Sequence, residues 1–235
     1  MQILKSNRQQ YIYDIHALVK AFYPAWELKV LTPESVVKDR KIRETAPVME
    51  LEFGEKEVKF TVHRSLHNIK EGTDTQTYTW CGTDKVEAGE YKNAFKRFLY
   101  AALQEETGIS LPWGNLTGIR PTKIAMTMLD CGKSEKEIAA FLKENHFVSV
   151  EKTALGIDIA KRERRILQTL HYENGYSLYI GIPFCPTTCL YCSFTSYPIG
   201  VWRERVADYL TALEQEMEAA AQICGDKILD TVYIG

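Results

Sequence analysis

Apolar and polar positions along the chain change period three times. Ile12, Ile15, Val19 and Phe22 keep helical spacing, which predicts an amphipathic helix over residues 8–22. Leu28 and Val30 alternate within residues 27–31, predicting a short strand. Met49, Leu51 and Phe53 then alternate with Glu50 and Glu52, and after Gly54 so do Val58, Phe60 and Val62 with Lys59 and Thr61. That is a hairpin of two strands with one wet face. Residues 65–84 are polar and aromatic and read as loop, with a candidate strand at 76–80.

A helical period takes over after residue 84. Phe95, Phe98, Leu99 and Leu103 stripe a helix that should end near Gly108. Pro112 to Pro121, with Gly114 and Gly118, is rich in breakers and reads as loop. A helix should follow to about Leu129. Ser134 and Glu137 have capping-box spacing, so each can satisfy a free N–H in the first turn of a helix running to about Asn145. Leu155, Ile159, Ile166 and Leu170 stripe a longer helix.

The period changes again after Asn174-Gly175. Ser177–Ile182 is a short apolar strand. Arg203–Ile223 is a helix with Val206, Leu210, Leu213 and Met217 on one stripe, and Ile228–Ile234 is a nearly continuous apolar strand. Strand, long loop, helix and strand make one βαβ unit, with parallel pairing and a right-handed crossover. The expected fold class is α/β in three regions: a small α+β region over 1–84, a helical region over 85–174, and the βαβ unit over 175–235.

Composition narrows the function classes. With 45% apolar and 26% charged residues, the 235-residue chain has globular composition. A net charge of −2 gives no bulk attraction to nucleic acid or to an anionic membrane. No apolar run reaches the ~20 residues of a membrane-spanning helix, and residues 1–8 carry no signal-peptide core. The expected compartment is the cytoplasm. The basic run Lys161 to Arg165 reads as a solvated helix face, and His16, His63, His67, His146 and His171 are scattered without ligand spacing. Trp26, Trp80 and Trp113 read as core or loop anchors, and Arg120 and Lys123 flank a turn that could cap a helix or meet a carboxylate.

Six cysteines change the picture. Cys81, Cys131 and Cys224 read as ordinary buried thiols, but Cys185, Cys189 and Cys192 form a C-x3-C-x2-C run. In a reducing compartment such a run points to metal. A structural zinc would need a fourth ligand, such as Cys224 or His171. Three thiolates on a cubane iron–sulfur cluster would instead leave one iron open to a small molecule. The run follows the C-terminal end of the first strand of a βαβ unit, where α/β folds place their chemistry.

Tyr179-Ile180-Gly181-Ile182-Pro183-Phe184-Cys185-Pro186-Thr187-Thr188-Cys189-Leu190-Tyr191-Cys192-Ser193-Phe194 resembles the signature of radical S-adenosylmethionine (SAM) enzymes. Within these it is similar to the oxygen-independent coproporphyrinogen III oxidase group. The Cys192 to Pro198 continuation, together with Gly118-Ile119-Arg120-Pro121-Thr122-Lys123, resembles the HemZ-type branch, commonly labelled coproporphyrinogen dehydrogenase. The resemblance implies that Cys185, Cys189 and Cys192 hold a 4Fe–4S cluster whose open iron chelates SAM. It implies that Tyr179 contacts SAM and that Tyr191 lies beside the cluster. An electron from a donor the sequence does not identify would cleave SAM to a 5′-deoxyadenosyl radical, and propionates of a tetrapyrrole substrate would become vinyl groups in heme biosynthesis. The implied fold is a partial TIM barrel.

Gly181 stands where the oxidase has His, and Phe194 where it has a further cysteine. The second pattern is shared with a heme-trafficking relative, so a heme-delivery chaperone is the alternative function. A third reading is an isolated N-terminal accessory domain that binds a partner. Family members continue past the second strand with a glycine-rich SAM-binding turn, whereas here Tyr233-Ile234-Gly235 closes the sequence. The expectation is a fragment of a longer protein, inactive by itself.

Overall fold

A computed structural model describes residues 1–36, 42, 45–64, 75–82, 88–118 and 120–235. The chain is mixed α/β and divides into two compact units, Met1–Arg162 and Glu163–Gly235. Most of the expected loop over 65–84, with His67, lies outside the described residues, as does Ile119.

The first unit opens with β1 (Gln2–Ser6), α1 (Ile12–Phe22), β2 (Leu28–Leu31), β3 (Met49–Phe53), β4 (Val58–His63) and β5 (Thr75–Trp80). The sheet order is β2-β1-β3-β4-β5. β1 pairs in parallel with both β2 and β3, and β3 to β5 form an antiparallel meander. The hairpin is where alternation placed it, with Leu51 opposite Phe60 and Phe53 opposite Val58. Strand β1 has no such signal. Ile3 and Leu4 are adjacent and both fully buried. Successive strand residues face opposite sides, so both faces are covered there and no alternation is left to read. Asn7 ties the end of β1 to β3 as a surrogate strand partner. Its Nδ2 donates to the Phe53 carbonyl (3.1 Å), and its Oδ1 accepts from the Phe53 N–H (2.8 Å).

Helix α2 (Ala88–Thr107) packs with α1 on one sheet face, and Phe95 meets Phe53 at 5.1 Å and Tyr11 at 5.4 Å between ring centroids. α2 stops before Gly108, whose φ of 69° ends the helical geometry. Then follow α3 (Thr122–Asp130), α4 (Glu135–His146) and α5 (Val150–Leu167). Ser134 and Glu137 form the full capping box of α4. The inward face of α5 differs from the expected stripe. Thr153, Gly156, Ile157 and Ala160 are buried, whereas Leu155 and Ile166 are 41% and 66% exposed. On this face Gly156 lies beside the Trp113 ring.

The breaker-rich loop also has a specific task. Gly114, at φ 55°, lies against the end of α4, and a Cβ there would collide with the His146 carbonyl oxygen. Next to it the Asn115 N–H donates to that carbonyl (3.0 Å), and Asn115 Oδ1 accepts from Nδ1 of His146 (3.0 Å). Phe147 closes α4 in the left-handed region, with its ring stacked on Tyr100 at 4.9 Å. Burial, reinforced by Lys96 and then Arg97, pushes His146 down from 6.5 to about 4.

The second unit contains β6 (Gly175–Ile180), β7 (Phe184–Cys185), β8 (Tyr197–Pro198), short turns Ile199–Trp202 and Arg203–Arg205, α6 (Val206–Cys224) and β9 (Ile228–Ile234). β6 and β9 pair in parallel from Gly175–Ile228 to Ile180–Ile234. This is the expected βαβ unit, although β6 ends two residues early, where Gly181 and Pro183 break the strand. No residue of this unit is fully buried. Leu210 and Met217 of the expected α6 stripe are 49% and 38% exposed, while Val206, Tyr209 and Leu213 are half-buried.

Two outcomes follow for the first unit. Gly114→Ala should cost about 3 kcal/mol, from a left-handed backbone and a backbone collision together, read as a lowered urea midpoint at unchanged slope. His146 is neutral in the fold, so the unfolded chain binds more protons between the two values. Stability should therefore fall as pH drops from 6.5 through about 4. Equilibrium unfolding across that range should show a shallower slope in His146→Gln.

Candidate metal centre

The loop over 181–198 leaves β6 at the C-terminal end of the parallel pair. The Ile182 N–H donates to the Gly235 carbonyl (2.7 Å), and the Gly235 N–H donates to the Ile180 carbonyl (3.0 Å), so pairing runs past the strand ends. The Tyr209 hydroxyl reaches from α6 to the Gly181 carbonyl at 2.7 Å. The neck is closed where Phe184 pairs with Tyr197 and Cys185 with Pro198. Around it, Phe184 meets Tyr209 edge-on at 5.1 Å, and Trp202 meets Tyr197 at 5.9 Å. These four aromatic residues carry no ligand spacing of their own. Only the helical position of Tyr209, three residues after Val206 and four before Leu213, signals that it faces inward.

A cavity of about 680 Å³ lies beside the neck, and Tyr179, Cys185, Cys192, Tyr209 and Tyr233 are on its wall. Tyr179 stacks on Tyr233 at 5.3 Å and 13°. Gly181 leaves room for it, since a Cβ would stand 3.1 Å from the Tyr179 ring. A bulky side chain at 181 would displace that tyrosine. The fold thus brings Tyr179, Cys185 and Cys192 to one wall. Cys189 and Tyr191 are exposed on the loop and are not on this wall.

All six cysteines are free thiols. Cys81 and Cys131 are exposed and Cys224 is half-buried, so the expectation of buried thiols fails for the first two. They lie beyond strand and helix ends, where no core covers them. The donor set fits an iron–sulfur cluster by chemistry: three soft thiols within eight residues and no disulfide. Among the described residues no three His, Cys, Asp or Glu side chains stand close enough together to hold a metal ion. The three sulfurs therefore do not converge here. Between the neck bonds, Cys192 N–H to the Cys189 carbonyl (3.0 Å) is the backbone bond holding the loop. Such a loop can gather its ligands as metal binds.

His171, the candidate fourth zinc ligand, is engaged elsewhere. Its Nδ1 pairs with Asp230 Oδ1 at 2.8 Å, and its N–H donates to Asp230 Oδ2 at 2.9 Å. These bonds hold the Asp230 carboxyl below its ordinary value and pin the lead-in of β6 to β9. Arg120 and Lys123 belong to the first unit, next to a small apolar cavity. In the basic run, Lys161 pairs with Glu135 (2.6 Å) and Arg162 with Asp158 (3.0 Å).

No family model matches the chain, and no solved structure matches it. Two curated proteins of Bacillus subtilis (strain 168) do. Over 156 residues, 65% of this chain and 31% of the relative, it is 36% identical to the oxygen-independent coproporphyrinogen-III oxidase-like protein HemZ. Over 59 residues, 25% of this chain and 15% of the relative, it is 46% identical to the heme chaperone HemW. The chain spans about a third of the length of the first relative and less of the second. Both similarities point the same way as the cysteine signature between Tyr179 and Phe194: over part of its length the chain is similar to an oxygen-independent coproporphyrinogen-III oxidase-like protein and to a heme chaperone.

Proposed function

We propose that the second unit carries the cofactor-binding start of a radical SAM oxidoreductase that acts on a tetrapyrrole in heme biosynthesis. The observation behind this reading is the C-x3-C-x2-C loop at the C-terminal end of a parallel strand pair, with Cys185, Cys192 and Tyr179 on one cavity wall. Cys185, Cys189 and Cys192 would hold the 4Fe–4S cluster. Tyr179, braced by Tyr233, would support SAM, and Tyr191 would cover the cluster from the loop. When bound, the cluster and SAM supply one-electron radical chemistry, which on this reading converts substrate propionates to vinyl groups. The chain's share is to fix the loop neck with Phe184, Tyr197 and Trp202, keep the three thiols free, and wall the cavity with Tyr179, Tyr209 and Tyr233.

Free thiols suit a reducing cytoplasm, and the electron would come from a donor that the sequence does not identify. Among the described residues no helix is long and apolar enough to cross a membrane. The division into regions 1–84, 85–174 and 175–235 is proposed as the order in which accessory and cofactor-binding parts follow one another.

Anaerobic reconstitution of the 235-residue chain with iron and sulfide tests the site. About four irons and four sulfides per chain are expected, with broad absorbance near ~400 nm. Cys185→Ala, Cys189→Ala and Cys192→Ala should each lose the chromophore, whereas Cys81→Ala, Cys131→Ala and Cys224→Ala should keep it. A colourless zinc protein that resists reconstitution would contradict the reading.

A further inference from the structure

A second cavity, of about 580 Å³, lies within the first unit, with Trp80, Tyr91, Arg97, Phe141, Asn145 and His146 on its wall. Its volume falls in the ordinary range of small-molecule sites. His146 is only 8% exposed. Because Nδ1 donates to Asn115 Oδ1, the neutral ring carries its proton there, and Nε2 is left a bare acceptor. Among the described residues Nε2 has no partner. It is also not sealed in the core, since it is absent from the buried unpartnered atoms. The low value of about 4 keeps the ring neutral at physiological pH.

Arg97 adds the opposite chemistry. Its guanidinium is half-buried and has no carboxylate partner among the described residues; its one bond is a long one, 3.4 Å, from Nη1 to Asn145 Oδ1. Three aromatic rings, Trp80, Tyr91 and Phe141, share the wall with Glu90, Asn93 and Cys81. Trp80 meets Tyr91 at 5.3 Å, and Phe141 meets the His146 ring edge-on at 5.5 Å. The wall is also held in place. Gly82 has no Cβ because one would enter the Trp80 ring, and Gly114 and Asn115 fix His146 from behind. A fixed acceptor, a cation with no carboxylate bonded to it among the described residues, and three aromatic rings together select a ligand.

We propose that this cavity binds a small aromatic carboxylate that also carries an N–H or O–H donor. The carboxylate meets Arg97, the donor meets Nε2 of His146, and the ring lies among Trp80, Tyr91 and Phe141. Recognition of this kind is directional, because a ligand without the donor leaves Nε2 of the nearly buried His146 unpaired, and one without the carboxylate forgoes the charge-assisted bond to Arg97.

The test titrates the full chain with para-hydroxybenzoate, meta-hydroxybenzoate and indole acetate, following tryptophan fluorescence and the ring protons of His146 by NMR. Saturable binding of at least one probe, with a shift of the His146 signals, is expected. Benzoate and phenol should bind about tenfold more weakly than the best hydroxybenzoate, as should that probe to Arg97→Gln. Arg97 is half-exposed, so this variant should keep the wild-type melting transition. No saturation with any of the three probes overturns the proposal. So does equal affinity in Arg97→Gln, or binding that leaves the His146 signals unmoved.

Discussion

Parallel pairing of β6 with β9 is the constraint on which the cysteine site depends. A parallel pair cannot close through a tight turn, so the chain must cross over, and α6 makes that crossing. The crossing puts the loop from β6 to α6 at the C-terminal end of the strands. Three devices then hold it there: Ile182 bonded to Gly235, Tyr209 bonded to Gly181, and the bridge of Phe184 with Tyr197. At the other end His171 and Asp230 lock the strand starts together. The cysteines need no secondary structure of their own, because both ends of their loop are fixed.

The two units spend their polar groups differently. In the first, the Asn7 side chain completes the backbone pairing of β3, and Asn115 holds the end of α4 through its N–H to the His146 carbonyl and its Oδ1 to the His146 ring. Such side chains remove the cost of buried unpaired groups and also fix one geometry. The second unit has no fully buried residue and leaves Ile228, Leu229, Val232, Tyr233 and Ile234 at least 41% exposed. Its order comes from backbone pairing and aromatic contacts at the neck.

Sequence pattern carried furthest where a physical period is local. The β3–β4 hairpin alternates, Ser134 and Glu137 cap α4, and β9 spans the residues its apolar run suggested. The C-x3-C-x2-C signature was likewise readable in the sequence. Strand β1 was hidden because burial on both faces erases alternation. The true face of α5 was hidden because it is built largely from Thr153, Gly156 and Ala160, which carry little hydrophobic signal. The His171–Asp230 lock spans 59 residues and leaves no local trace, and the bare Nε2 of His146 depends on which atom Asn115 offers it.

The central claim is that three thiolates of one loop hold a cluster and leave one iron open. Mössbauer spectroscopy of the chain reconstituted anaerobically with isotopically enriched iron tests it most directly. The account predicts one iron site distinct from the other three, and that site alone responding to an added small-molecule thiol. Four equivalent irons unaffected by the thiol would mean that a fourth protein ligand closes the cluster, and would contradict it.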